Sequence, residues 1–174
     1  MCETTHTEDD RDIEQVVMEY GGSIVKYCYN LLWDYHEAQD AAQDVFLTAV
    51  QRLSDLRDGS SLSTWLYRVA HNTCMDILRR KKRAKLVMLR ESAKNGINVY
   101  DDCYDIGISR ELQAALNTLS LRDRALVYSR AVDEMEYSQL EEIYGVKAAT
   151  LRKRYERARK KLEAELEKGG FDNV

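Results

Sequence analysis

The chain has 174 residues, 44% apolar and 32% charged, with 26 Lys+Arg against 30 Asp+Glu for a net charge of −4. This composition fits one ordinary domain or two small ones and excludes a disordered polymer. No apolar run approaches the roughly 18 residues of a membrane span. The start MCETTHTEDDRDIEQ lacks the basic-then-apolar plan of a signal peptide, so the expected compartment is the cytoplasm.

With no proline and eight glycines, the chain suits helices joined by short turns. Residues 13–33 place Ile13, Val16, Val17, Tyr20, Ile24, Tyr27, Cys28, Leu31 and Leu32 on one helical stripe. Gly21-Gly22 inside it predicts either a bend or the close approach of another helix. The next helix, HEAQDAAQDVFLTAVQRL, turns Ala38, Ala41, Ala42, Val45, Phe46, Ala49, Val50 and Leu53 inward and Glu37, Asp40, Gln43 and Asp44 outward. DLRDGSSLS is a loop, marked by Asp58-Gly59 and its serines. A third amphipathic helix, LSTWLYRVAHNTCMDILRRKKR at residues 62–83, spaces Leu62, Trp65, Leu66, Val69, Ala70, Thr73, Ile77 and Leu78 as a core face. That spacing leaves Tyr67, Arg68, His71, Asn72, Asp76 and Arg79 on the opposite, polar face.

Residues 90–108 lose periodicity and gain Asn, Gly and Asp, the mark of a linker. A second helical domain then spans 109–168. Ser120 is placed to cap a helix with Asp123 three residues on, and Ser138 with Glu141 forms a second such box. Gly145 is the expected left-handed C-cap of the short helix that this second box starts, and a long helix starts at Lys147 with Leu151, Tyr155, Ala158, Leu162 and Leu166 inward. The expected fold is all-α, with an acidic tail at 1–11, one bundle at 12–89, the linker, the second bundle, and a tail at 169–174.

Charge is distributed in blocks. Residues 1–78 carry −9, residues 79–94 carry +7, residues 95–146 carry −6 and residues 147–161 return to +7. Two compact basic blocks are thus set in acidic surroundings. A stand-alone nucleic-acid binder draws its non-specific affinity from an overall basic field, which this chain lacks. Something else must hold it on DNA.

YSQLEEIYGVKAATLRKRYERARKK has the form of a helix-turn-helix. Its second helix exposes Lys147, Thr150, Arg152, Lys153, Glu156, Arg157 and Lys160, a set suited to base edges and flanking phosphates. The polar face of the third helix supports different work. Bases read on their pairing edges must be unstacked and received in a pocket. Arg68, His71, Asn72 and Asp76 offer donors and acceptors, Tyr67 a stacking face, and the basic run from Arg79 to Lys85 a track for a phosphate backbone. No phosphate loop, metal motif or nucleophile–base pair occurs, so neither catalysis nor a cofactor is expected. The four cysteines read as free thiols. His71 and Cys74 lack two further ligands for a metal site, and Cys74 alone lies near cations that favour a thiolate.

Together these segments resemble a known family. EAQDAAQDVFLTAVQRL followed by SSLSTWLYRVAHNTCMDILRRKKR looks like region 2 of bacterial RNA polymerase sigma factors of the extracytoplasmic-function group, within the sigma-70 family. LNTLSLRDRALVYSRAVDEMEYSQLEEIYGVKAATLRKRYERARKKL looks like their region 4. The resemblance implies a promoter-selecting subunit whose partners are core RNA polymerase, through the β′ clamp helices and the β flap, promoter DNA, and an anti-sigma factor. By position, Asp40, Gln43, Asp44, Phe46 and Leu47 would dock on the clamp helices. Ser60, Ser61, Tyr67, Arg68, His71, Asn72, Asp76 and Arg79 would line the minus-ten element, and Arg130, Lys147, Thr150, Arg152, Lys153, Glu156 and Arg157 the minus-thirty-five element. The chain departs from the family pattern at four places. Ala41 and Ala42 stand for larger aliphatics, which predicts a softer polymerase contact. His71 stands for a frequent arginine, Ser120 for a proline, and Glu141 for a small residue, which predicts looser packing of the two helices of the motif. An autonomous helix-turn-helix regulator is the competing reading, and it leaves the acidic face and the 62–80 helix without roles.

Overall fold

A computed structural model of the chain describes residues 13–52, 61–92 and 109–168. The acidic tail, Ser60 and its loop, Cys2, Cys103, most of the predicted linker and the C-terminal tail lie outside the described residues. Every described element is a helix: α1 (Ile13–Leu32), α2 (Tyr35–Arg52), α3 (Leu62–Ser92), α4 (Arg110–Asn117), α5 (Leu121–Ala131), α6 (Tyr137–Tyr144) and α7 (Ala148–Lys168). They fall into two compact units, one within residues 1–98 and the other within 99–174. Helix α3 continues three residues into the segment read as linker, because its basic run interrupts the apolar pattern without breaking the helix.

In the first unit, Val16, Ile24, Tyr27, Cys28, Leu31 and Leu32 of α1 are buried as the stripe predicts, while Val17 is exposed and Tyr29 is buried in addition. Gly21 and Gly22 neither stop the helix nor admit a neighbour. A Cβ on Gly21 would touch only Val17 of the same helix, at 3.7 Å, and one on Gly22 would meet nothing within 4 Å. Gly22→Ala is therefore expected to raise the stability of this unit by about 1 kcal/mol, the helix-interior cost of glycine. Thermal melting checks this, and a lowered midpoint would mean that the bare backbone is needed. Helix α1 ends with Trp33 in the left-handed region (φ 57°), and its N–H donates to the Tyr29 carbonyl at 2.8 Å. Asp34 then caps α2, accepting from the Glu37 N–H at 3.0 Å.

Ala38, Ala41, Ala42 and Ala49 are buried with Val45, so α2 presents small side chains to both α1 and α3. Ala41 and Ala42 thus face the interior, and the softer polymerase contact expected of them does not follow. Helix α3 is rotated relative to the expected stripe. Thr64, Leu66, Tyr67, Ala70 and Cys74 are buried, whereas Trp65, Val69 and Thr73 are only half-buried. Tyr67 is drawn inward by Tyr27, with ring centroids 5.2 Å apart in an edge-on arrangement. Cys28 and Cys74 meet across α1 and α3 as buried free thiols. Their mutual hydrogen bond, with burial, pushes the Cys74 thiol far above its ordinary range, the reverse of the thiolate-stabilising setting read from nearby cations.

The second unit packs Ala125, Leu126, Leu140, Ile143, Leu151 and Ala158 at its centre. Ser109 caps α4 and Ser120 caps α5, accepting from the Leu112 and Asp123 N–H groups at 3.2 Å each. The cap of α6 is not Ser138 but Glu136, whose side chain accepts from the backbone of Gln139 while the Gln139 amide oxygen accepts the Glu136 N–H at 2.9 Å. Two boxes lie two residues apart in this segment, and the earlier one wins because it lets Tyr137 begin the helix. Gly145 closes α6 in the left-handed conformation at φ 63°. Ser129 and Tyr144, both turned inward, share a hydrogen bond at 2.8 Å that ties α5 to α6.

Candidate polymerase and promoter interfaces

The outward face of α2 is formed because its inward face is almost all alanine. Asp40, Gln43, Asp44 and Leu47 are exposed, Phe46 is half-buried, and Leu47 is 60% accessible. Val50, expected inside, is 59% accessible and extends the same face. It lies about 100° around the helix from buried Ala49, past the edge of the packed arc. Neither Asp40 nor Asp44 enters an ion pair among the described residues. Two unpaired carboxylates beside apolar tips suit a partner surface that is basic and apolar, and repel DNA.

On α3 the predicted promoter residues separate into groups. Tyr67 is 4% accessible and belongs to the core, so its stacking role is not supported. His71 Nδ1 lies 3.0 Å from the Tyr27 hydroxyl, joining α3 to α1. Asp76 and Arg79 pair with each other at 2.8 Å. Arg68 and Asn72 are exposed, one turn apart on one side of the helix, and no hydrogen bond or ion pair among the described residues occupies them. Ser61 is exposed at the start of the helix, where its carbonyl accepts the Trp65 N–H. Beyond the bundle, Arg80, Lys82, Arg83 and Lys85 are exposed, while Lys81 reaches back to Glu37 on α2 at 2.5 Å.

In the second unit, Thr150, Arg152, Lys153, Glu156 and Arg157 are exposed along one side of α7, with Lys147 exposed at its start. Arg157 donates to the Lys153 carbonyl at 3.3 Å, and Glu156 lies 3.7 Å from Arg159. Helix α7 begins at Ala148, one residue later than expected, and the Lys147 carbonyl accepts the Thr150 and Leu151 N–H groups at 2.8 and 3.0 Å while its side chain offers no acceptor. Glu141 supplies one instead: its carboxylate accepts the Ala148 N–H at 2.9 Å. The looser packing expected of Glu141 is thus replaced by a cap across the turn.

Arg154, missing from the sequence reading, holds α7 on α5 through two hydrogen bonds to one oxygen of Asp123, at 3.1 and 2.8 Å. Burial alone would raise the Asp123 pKa, but the Ser120 hydroxyl and the Arg154 guanidinium outweigh it and hold the carboxyl below its usual value. A lowered folded pKa stabilises above the unfolded value of about 3.9 and loses that contribution as pH falls through the folded value. Acid should therefore weaken the second unit below about pH 4, and Asp123→Asn is expected to cost about 1–2 kcal/mol at neutral pH and flatten that acid limb. Acid titration of helicity, with and without the substitution, checks both points.

Arg130, placed at the minus-thirty-five element by the resemblance, is held at home. Its Nη1 donates to the Glu134 and Met135 carbonyls at 3.2 and 3.1 Å, and its guanidinium lies 5.3 Å from the Tyr137 ring centroid. Arg152 approaches the same ring to 5.1 Å. Tyr137 was not singled out by sequence, and no spacing rule points to it, since Arg130 comes from the preceding helix and Arg152 from the following one.

Comparison with known proteins matches both units. Residues 16–84 match the sigma-70 region 2 model and residues 109–162 the sigma-70 region 4 model. The chain is 27% identical to the ECF RNA polymerase sigma factor SigW of Bacillus subtilis over 169 residues, covering 91% of this chain and 90% of the relative. It is 26% identical to the ECF RNA polymerase sigma factor SigE of Mycolicibacterium smegmatis, covering 89% of this chain and 62% of that one. The fold superimposes on the sigma factor RpoE crystallised with the anti-sigma factor NepR from Bartonella quintana, with a TM-score of 0.72 at 22% identity over 90% of this chain and 97% of that one. It also matches CnrH in complex with the cytosolic domain of CnrY, with a TM-score of 0.66 at 21% identity over 89% and 87% of the two chains. With region 2 and region 4 both present in one helical chain, in order and over most of its length, the protein belongs to the extracytoplasmic-function group of sigma-70 RNA polymerase sigma factors.

Proposed function

We propose that this sigma factor divides its work among three surfaces. The α2 face of Asp40, Gln43, Asp44, Phe46 and Leu47, extended by Val50, docks on the β′ clamp helices of core polymerase. Arg68 and Asn72, with Asp76, Arg79 and the serines before α3, meet the melted minus-ten strand. The exposed side of α7 reads the minus-thirty-five element, with its unit seated on the β flap. Residues 12–89 and 109–168 serve as the two functional domains, and the segment between them as their link. The protein brings no chemistry and no cofactor of its own, works in the cytoplasm, and is held in check by an anti-sigma factor that covers these surfaces. None of its helices is long and apolar enough to cross a membrane among the described residues.

The observation that carries this reading is the unpaired acidic and apolar face of α2 on the same unit as the unpaired Arg68–Asn72 face of α3. An autonomous regulator has no use for the first and no access to single strands for the second. The acidic first domain would oppose DNA binding by the free protein, and polymerase would supply the missing positive field. Mobility-shift assays at moderate salt test this. The protein alone should leave a promoter fragment unshifted, and core polymerase with the protein should retain it. A specific shift by the protein alone at that salt would favour the autonomous regulator.

A further inference from the structure

We infer that Tyr137 is a positioning residue for promoter recognition, acting as an aromatic seat that aims Arg152 at the minus-thirty-five element. The inference rests on the reading of α7 as the helix that contacts that element. Tyr137 opens α6, and its ring receives two guanidiniums, Arg130 at 5.3 Å and Arg152 at 5.1 Å. Arg130 is already fixed by the Glu134 and Met135 carbonyls, so one side of this assembly is anchored to the turn after α5. Arg152 has no carboxylate and no carbonyl partner among the described residues, and the ring is what orients it.

The distinction between a ring and a carboxylate matters for DNA. A carboxylate would orient Arg152 by consuming its N–H donors and cancelling its charge. An aromatic face attracts the cation through its quadrupole and leaves the planar set of donors open for a two-pronged contact, as to the O6 and N7 of guanine. Arg154 on the same helix shows the other arrangement: it is bound to Asp123, and its work is packing. Two cations on one ring repel each other, and an acceptor on duplex DNA relieves that repulsion. Arg130 thus steadies the ring, the ring steadies Arg152, and Arg152 meets the base edge or its phosphate.

The test uses holoenzyme reconstituted with the full chain, on a promoter it transcribes and on the same promoter with a scrambled minus-thirty-five element. Tyr137→Phe keeps the ring and should stay within about twofold of the parent, while Tyr137→Leu should lose about fivefold on the intact promoter and nothing on the scrambled one. Mono-, di- and trifluorinated phenylalanine at position 137 keep the ring's shape and withdraw its electrons, so activity should fall stepwise along that series. Arg152→Ala should cost less in the Tyr137→Leu background than in the parent. A flat fluorine series, or independent effects of Tyr137→Leu and Arg152→Ala, would overturn the inference even if melting showed every variant folded. A Tyr137→Phe loss as large as that of Tyr137→Leu would assign the contact to the hydroxyl and overturn it as well. If the parent protein were indifferent to scrambling, the reading of α7 itself would fail, a result separable from these.

Discussion

Asp44→Lys is expected to abolish transcription by the reconstituted holoenzyme while leaving the fold of both units intact. Asp44 is exposed near the middle of α2, one turn before Leu47 and one turn after Asp40, at the edge of the buried arc that holds Ala41 and Val45. It makes no ion pair within the described chain, so reversing its charge breaks no internal contact. Opposite-charge contacts at protein interfaces carry coupling of roughly 1.5–7 kcal/mol, and reversal adds repulsion to their loss. A middle value of about 3 kcal/mol corresponds to an affinity for core polymerase lower by roughly 100-fold. Equilibrium binding to core polymerase reads this directly, with circular dichroism as the control. The companion Leu47→Ala is expected to weaken the same contact by about tenfold, since an exposed leucine contributes nothing internal and its burial is worth about 1.5 kcal/mol. Unchanged affinity in Asp44→Lys would move the docking surface off α2.

Asn72→Ala is expected to separate promoter binding from promoter opening. Its amide projects from the exposed side of α3 beside Arg68 and is spent on no partner among the described residues. A side chain that gives and takes hydrogen bonds with an unstacked base contributes to the open complex and not to the closed one. Losing it should lower open-complex formation by about tenfold, the scale of 1–3 kcal/mol for a good base contact, with the melting temperature unchanged. Permanganate footprinting of the melted region checks the first quantity. Tyr67→Ala supplies the contrast. It removes a buried ring packed edge-on to Tyr27, so it should destabilise the first unit by about 3 kcal/mol and depress opening only through loss of fold. The reverse pattern, a stable Tyr67→Ala protein that binds but does not melt DNA, would return Tyr67 to the promoter surface.

Much of this was legible in the sequence because helices write themselves as periodicity. All three helices of the first unit, the serine cap that begins α5, and the glycine that ends α6 follow from spacing and cap chemistry. The limits were local and had physical causes. A periodic stripe is wide enough to place either Trp65 or Tyr67 inward, and only the Tyr27 ring on α1 decides between them. Val50 belongs to the stripe by residue type and to the surface by angle. Ser138–Glu141 and Glu136–Gln139 are both chemically sound boxes, and the choice depends on where α5 delivers the chain.

The functional surfaces were legible through resemblance, but which of their side chains are free was not. Asp76 and Arg79, three apart, give a hint of pairing in the sequence. His71 and Tyr27 are 44 residues apart and give none. The same holds for Arg130, whose carbonyl partners belong to a turn, and for Tyr137, whose two cations arrive from different helices.

As a sigma factor, this protein turns core polymerase into a promoter-specific enzyme. Run-off transcription with purified core polymerase on fragmented genomic DNA of the source organism, with and without the protein, tests this function most directly. Discrete transcripts that require the protein are expected, with upstream sequences that share two elements at a fixed separation. The same transcripts with and without it, together with specific DNA binding by the protein alone, would contradict that function.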